Sequence, residues 1–238
     1  MPRERPPIIL VHGAGNSGGV WAYWQARLAD HGWRTAAINF RGHGDGALAD
    51  LSQTSMKDYS VDLIEVVRKY HTPPVIVGWS MGGHVAMMVA QAERVAACVC
   101  LAPSMPSRKV NNSVSLRTGV FGPEEYGIVS TDPTDQPNMS DLDQEECAVA
   151  LASLADESRL ARDERRAGVV IETLECPLLI VTGTEDFQWP RDAYKDLWLK
   201  ADFIEARGAS QWGLVLNKRA LAEIVPAVIG WLDANVGP

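Results

Sequence analysis

Short β-branched apolar runs alternate along the chain with segments whose apolar positions recur at helical spacing. That alternation is the pattern of a mostly parallel sheet flanked by helices on both faces. Ile8 to Val11 reads as a buried strand, and Val20 to His31 as a helix closed by Gly32. Trp33 to Asn39 is the next strand, Tyr59 to Tyr70 a helix, and Val75 to Val77 a strand after Pro73-Pro74. Val85, Met88, Val89 and Ala92 fall at i, i+3, i+4 and i+7, so Met81 to Gln91 predicts a helix that follows the strand almost without a loop.

Val95 to Leu101 gives a further strand. The pattern then breaks at Pro103 and resumes only at Leu178 to Thr182. A gap that long is rarely structureless inside a compact domain, so residues 104–170 are expected to form an inserted lid. Ser140 with Asp143 resembles a capping box, after which Cys147, Leu151 and Leu154 share a helical face. Beyond it, Arg191 to Lys200 predicts a helix, Phe203-Ile204 a short strand, and Lys218 to Asn235 a terminal helix. With 238 residues and no repeat, residues 1–238 are expected to be a single domain.

Composition narrows the class without naming an activity. An apolar fraction of 46% with 22% charged residues is ordinary for a globular protein, and no apolar run approaches a bilayer span. Met1 to Pro7 carries two arginines but leads straight into the first strand, so no signal peptide is expected. Cys98, Cys100, Cys147 and Cys176 have neither metal-ligand nor dense disulfide spacing; a reducing cytoplasm and no metal are expected. Residues 118–158 hold ten Asp and Glu and no Lys or Arg, within a net charge of -8. Nucleic acid is therefore a poor partner, and those carboxylates are read as a solvated face.

The chemistry concentrates at strand ends. Gly78-Trp79-Ser80-Met81-Gly82 fits G-x-S-x-G between a predicted strand and a predicted helix. Small residues are needed at 78 and 82 because a serine on so sharp a turn leaves no room for a neighbouring Cβ. The first N–H of the following helix, on Met81, has no intrahelical partner and suits an oxyanion. His12-Gly13-Ala14-Gly15 follows the first strand, and Gly183-Thr184-Glu185-Asp186-Phe187-Gln188-Trp189-Pro190 follows a late one. Loops at the carboxyl ends of parallel strands meet in one crevice.

In these motifs and their order the chain resembles the α/β-hydrolase superfamily over nearly its whole length except the lid. The resemblance implies Ser80 as nucleophile, Asp186 as the acid that orients the base, the N–H groups of Ala14 and Met81 as oxyanion hole, and a structural His12. The His12-Gly13 loop followed by Trp21 and Trp24 is similar to the branch holding methylesterases, lactonases and hydroxynitrile lyases. No cofactor is implied.

The pattern departs at the base. Where the superfamily places histidine, the chain reads Gly208-Ala209-Ser210-Gln211-Trp212. An amide cannot take the serine proton, so a loss on the order of a million-fold in turnover, roughly 8 kcal/mol of barrier, is expected. Three readings stay open: a histidine substituted in a parent hydrolase, a natural divergence to a lyase, cyclase or ligand-binding protein, or a second histidine acting as base. The intact Ser80, Asp186 and oxyanion loops favour the first. His84 lies one turn past Ser80 and is expected to pack into the sheet; His43 is read as a turn residue, and His31 and His71 as surface residues.

Gly13, Trp79, Trp189 and Trp212 are expected to line the substrate pocket. Met105, Phe121, Tyr126 and Met139 in the lid point to a small, neutral, partly apolar ester, thioester or lactone. Neither a membrane nor a nucleic acid is expected as partner, and the chain is expected to be a monomer or homodimer.

Overall fold

The computed structural model describes residues 5–236, so the expectation about the N-terminal leader falls partly outside the described residues. The apolar run Ile8–Val11 forms β1, followed by α1 (Ala22–Asp30) and β2 (Thr35–Ile38). Next come α2 (Met56–Val67), β3 (Val75–Trp79), α3 (Met81–Ala92) and β4 (Ala97–Leu101). An excursion follows, with two-residue strands β5 (Val120–Phe121) and β6 (Glu157–Ser158) paired antiparallel, and helices α4 (Gln144–Ala152) and α5 (Arg159–Ala167). The chain re-enters the sheet through β7 (Leu178–Gly183) and β8 (Asp202–Ala206), then closes with α6 (Gly213–Leu216) and α7 (Lys218–Asn235).

Six strands lie parallel in the order β2-β1-β3-β4-β7-β8. Successive residues of a strand face opposite sides, and here both sides are apolar. Ile8, Leu10, Val77 and Val99 pack with Trp24 and Leu28 of α1, Leu214 of α6 and Leu221 of α7. Ile9, Val11, Ile76 and Cys98 pack with Tyr59 and Leu63 of α2 and Val85 and Val89 of α3. Each fully buried aliphatic side chain contributes about 1.5–3 kcal/mol, and the two layers fix the sheet edge from which the site is built. Cys98 and Cys100 do share one face, their sulfurs 3.5 Å apart in the core.

Several local expectations are corrected. Helix α2 begins at Met56, earlier than Tyr59, because Ser55 and Asp58 cap its first turn reciprocally. The cap of α4 is Asp143 with Glu146, one turn later than Ser140 with Asp143. Residues 191–200 form only a 3-10 turn, Arg191–Tyr194. There the Tyr194 hydroxyl donates to Pro103 O at 2.6 Å and Trp198 Nε1 to Ile171 O at 3.0 Å, and these long-range anchors override helical propensity. The acidic stretch is not one solvated face: Glu146 and Glu157 are buried, and Glu125 is gripped by Arg159 and Arg162.

Candidate active site

Ser80 occupies the turn between β3 and α3 with φ 52° and ψ -115°, one of two non-glycine residues among those described with positive φ. Such a conformation costs on the order of 1–3 kcal/mol and persists only where its surroundings enforce it. They do so here: Ser80 N–H donates to Leu101 O of β4 at 2.8 Å. A Cβ on Gly78 would strike the Gly82 carbonyl, and one on Gly82 the carbonyls of His12 and Val11. The Met81 N–H, at the positive end of α3, and the Ala14 N–H make no hydrogen bond to another described residue.

The loop after β1 is held from both sides. His12 Nδ1 donates to Gly13 O at 2.8 Å, while its Nε2 accepts the Phe40 N–H at 3.2 Å, which fixes a neutral ring. Burial, reinforced by the charge of His43, lowers its pKa to about 3. Gly15 N–H donates to Glu157 Oε2 at 2.9 Å, and Gly15 O accepts the Ala155 N–H at 2.8 Å. Glu157 also accepts the Tyr59 hydroxyl at 2.5 Å and stands 3.4 Å from His43 Nε2. Burial alone would raise its pKa; His43, Tyr59 and the Gly15 N–H reverse the sign and bring it to about 2. His43 is thus no simple turn residue but a buried ring set against the Glu157 carboxylate, and neither residue carries a local sequence signal for that role.

Gln211 reaches Ser80. Its Nε2 donates to Ser80 Oγ at 3.2 Å, and its backbone carbonyl accepts the Trp79 Nε1–H at 3.0 Å. Trp79 is the wedge between the two loops, with its ring under Gly13 and 4.9 Å from the Trp212 ring. Asp186 is buried; its Oδ1 accepts the N–H groups of Gln188 and Trp189 at 2.8 and 2.9 Å, but Oδ2 has no donor. Burial raises its pKa against the opposing effect of those two N–H groups. The acid and Gln211 loops are joined by Glu185 N–H to Ala209 O at 3.0 Å, yet no hydrogen bond links Asp186 to Gln211. Ser80 and Gln211 are in hydrogen-bond contact, whereas the Asp186 carboxylate bonds to neither and only its loop is joined to that of Gln211.

A cavity of about 830 Å³ opens at Ser80, lined by Gly13, Ala14, Trp79, Trp189, Gln211 and Trp212, with Met105 and Tyr126 from the segment between β4 and β7. Met139 is instead buried in the core, and Phe121 lies under the Arg162 guanidinium at 4.0 Å. The apolar wall expected from those residues is therefore corrected: Arg117, Arg159, Arg162, Arg165 and Arg166 line the cavity. Four of them stand on α5 at positions 159, 162, 165 and 166, a spacing that puts arginines on one helical face and is legible in the sequence. Of the remaining histidines, His84 is buried as expected, with its pKa lowered to about 3 by burial and by Arg165. No cluster able to hold a metal ion exists among the described residues.

A serine on a sharp strand-to-helix turn at the carboxyl edge of a parallel sheet is the arrangement of a hydrolase-class fold. Residues 8–226 match the profile of the alpha/beta hydrolase family, and the chain belongs to that family. The protein phosphatase methylesterase 1 of Mus musculus is 33% identical over 97 residues, 39% of this chain and 25% of that protein. The pimeloyl-[acyl-carrier protein] methyl ester esterase of Vibrio vulnificus (strain YJ016) is 34% identical over 105 residues, 42% of this chain and 38% of that one. The matched stretches thus span well under two thirds of these relatives. The solved pyrethroid hydrolase of Sphingobium faniae JZ-2 superposes with a TM-score of 0.74 over 96% of this chain and 98% of its own, at 19% identity, a likeness of fold. No helix among the described residues is long and apolar enough to cross a membrane.

Proposed function

We propose that this chain carries a serine-hydrolase site for a small ester, thioester or lactone, silenced or diverted by Gln211 in the position of the base. The carrying observation is the 3.2 Å contact in which Gln211 Nε2 donates to Ser80 Oγ. In hydrolysis the Ser80 oxygen bonds to the acyl carbon, its proton passes to a base and on to the departing alkoxide, and water then releases the acid. The unpartnered N–H groups of Ala14 and Met81 suit the tetrahedral oxyanion, and the segment 104–170 acts as lid, tied to the Gly15 loop through Ala155 and Glu157. Gln211 donates to Ser80 Oγ where a base would have to accept, so the proton has no destination. Asp186 Oδ2, buried without a donor, is the partner an imidazole N–H at position 211 would satisfy.

The same contact favours a second reading, a pocket that holds an ester without cleaving it. Gln211→His discriminates. A gain of p-nitrophenyl butyrate hydrolysis and of fluorophosphonate labelling, both abolished by Ser80→Ala, supports the hydrolase; their absence in a folded Gln211→His protein rejects it. The four unpaired cysteines support a reducing compartment for the chain.

A further inference from the structure

In a chain of net charge -8, the cavity beside Ser80 is walled by five arginines, and the acids available do not balance them. Glu125 is used by Arg159 at 2.6 Å and Arg162 at 2.7 Å, and Asp163 is held by both ends of Arg117 at 2.8 Å. Glu164, the remaining acid of α5, turns to the Met56 N–H at 2.6 Å. Among the described residues Arg165 has no carboxylate within salt-bridge distance and its buried Nε has no acceptor, while Arg166 finds only the already engaged Asp163, at 3.9 Å. Both guanidinium groups also line an adjoining groove of about 630 Å³, which shares Met105 and adds Lys109.

Two guanidinium groups, one without a carboxylate among the described residues and one sharing an already engaged carboxylate, form a receptor for an anion where the Ser80 cavity meets a basic groove. Resting on the hydrolase reading for the ester end, we propose that the substrate is an anionic ester, whose second terminus is a carboxylate or phosphate seated on Arg165 and Arg166 while its carbonyl lies at Ser80. The neutral substrate expected from the lid sequence is thereby replaced: the acids of this segment are engaged by three arginines, which leaves Arg165 without a carboxylate among the described residues and Arg166 with a share of Asp163 at 3.9 Å.

Calorimetric titration of the chain as it stands, Gln211 included, tests the anion site without catalysis. Monomethyl adipate and methyl 4-(phosphonooxy)butanoate are compared with uncharged dimethyl adipate. An affinity at least about tenfold higher for one anionic ester, weakened by raising NaCl, is expected, and the tighter anion identifies carboxylate or phosphate as the terminus. Arg165→Gln with Arg166→Gln should bring the esters to parity, whereas Arg68→Gln, a remote exposed arginine paired with Glu93, keeps the preference. Equal affinity for charged and uncharged esters in the unaltered chain overturns the proposal, as does a preference that survives the double substitution. The two readings fail separately. A Gln211→His protein that hydrolyses mono- and diester with the same kcat/KM retains the hydrolase and removes the anion site. Arginine-dependent monoester binding in a chain that Gln211→His never activates does the reverse.

Discussion

The carboxylate of Glu157 on β6 accepts the Gly15 N–H at 2.9 Å, so a side chain of the excursion fixes the loop that bears the Ala14 N–H. This is a buried charge with four neighbours: the N–H groups of Gly15 and Ser158, the Tyr59 hydroxyl and His43. Removing one partner of such a set leaves the others unpaired in a medium that does not solvate them. Glu157→Gln is expected to lower unfolding stability by about 3–5 kcal/mol, read as a shift of the urea midpoint. An unchanged midpoint would mean that the loop is held by its backbone contacts alone.

The same pair gives stability a pH dependence. Burial opposes a charge on His43, but the Glu157 carboxylate and two backbone carbonyls outweigh it, so the folded pKa is raised above 6.5. A raised histidine contributes stability that is whole below its unfolded pKa and is lost as pH rises through the folded one. Glu157, at about 2, has the opposite sign: its contribution is present above 4.5 and lost only toward pH 2. Melting temperature should therefore decline from pH 6.5 upward, and His43→Gln should flatten that limb. A limb that persists in the variant would assign it to another group.

Gln211→His should raise turnover of a small ester by several orders of magnitude, since an absent general base accounts for up to roughly 8 kcal/mol of barrier in triad enzymes. It should also stabilise the fold, because Asp186 Oδ2 lacks a donor and an unsatisfied buried acceptor costs about 1–3 kcal/mol. Thermal melting separates the effects: activation without stabilisation would place the new imidazole out of reach of Asp186. Asp186→Asn in the Gln211→His background should then remove most of the gain.

What was legible in the chain follows from the range of the forces involved. The strands and α3 were visible because burial on both faces leaves continuous apolar runs, and Ser80 because its turn demands Gly78 and Gly82. The terminal helix appears with its predicted bounds, since Asn217 caps it locally by accepting the Arg219 and Ala220 N–H groups. Residues 191–200 misled because Tyr194 and Trp198 answer to Pro103 and Ile171, distant in sequence. Glu157 looked like one acid among ten for the same reason: its partners Gly15, His43 and Tyr59 lie far up the chain. The arginine face of α5 was local and readable, but its meaning depends on which acids the fold has already engaged.

Two glycines inside or opening helices should respond to alanine in opposite directions. Gly230 lies in α7, exposed, and a Cβ there meets nothing within 4 Å. Gly230→Ala removes the backbone entropy that glycine loses in a helix and should stabilise by about 0.4–1 kcal/mol. Gly82 lies in the first turn of α3, where an added Cβ would strike the carbonyl oxygens of His12 and Val11. Those atoms belong to β1 and its loop, which cannot retreat without disturbing the sheet and the Ala14 segment, so Gly82→Ala should destabilise by about 1–3 kcal/mol or more. In the Gln211→His background it should also depress hydrolysis beyond what the lost stability explains, because β1 and α3 set the separation of the Ala14 and Met81 N–H groups proposed as the oxyanion hole. Equal and small effects of the two substitutions on the urea midpoint would show that the elbow tolerates a wider spacing than its backbone contacts imply.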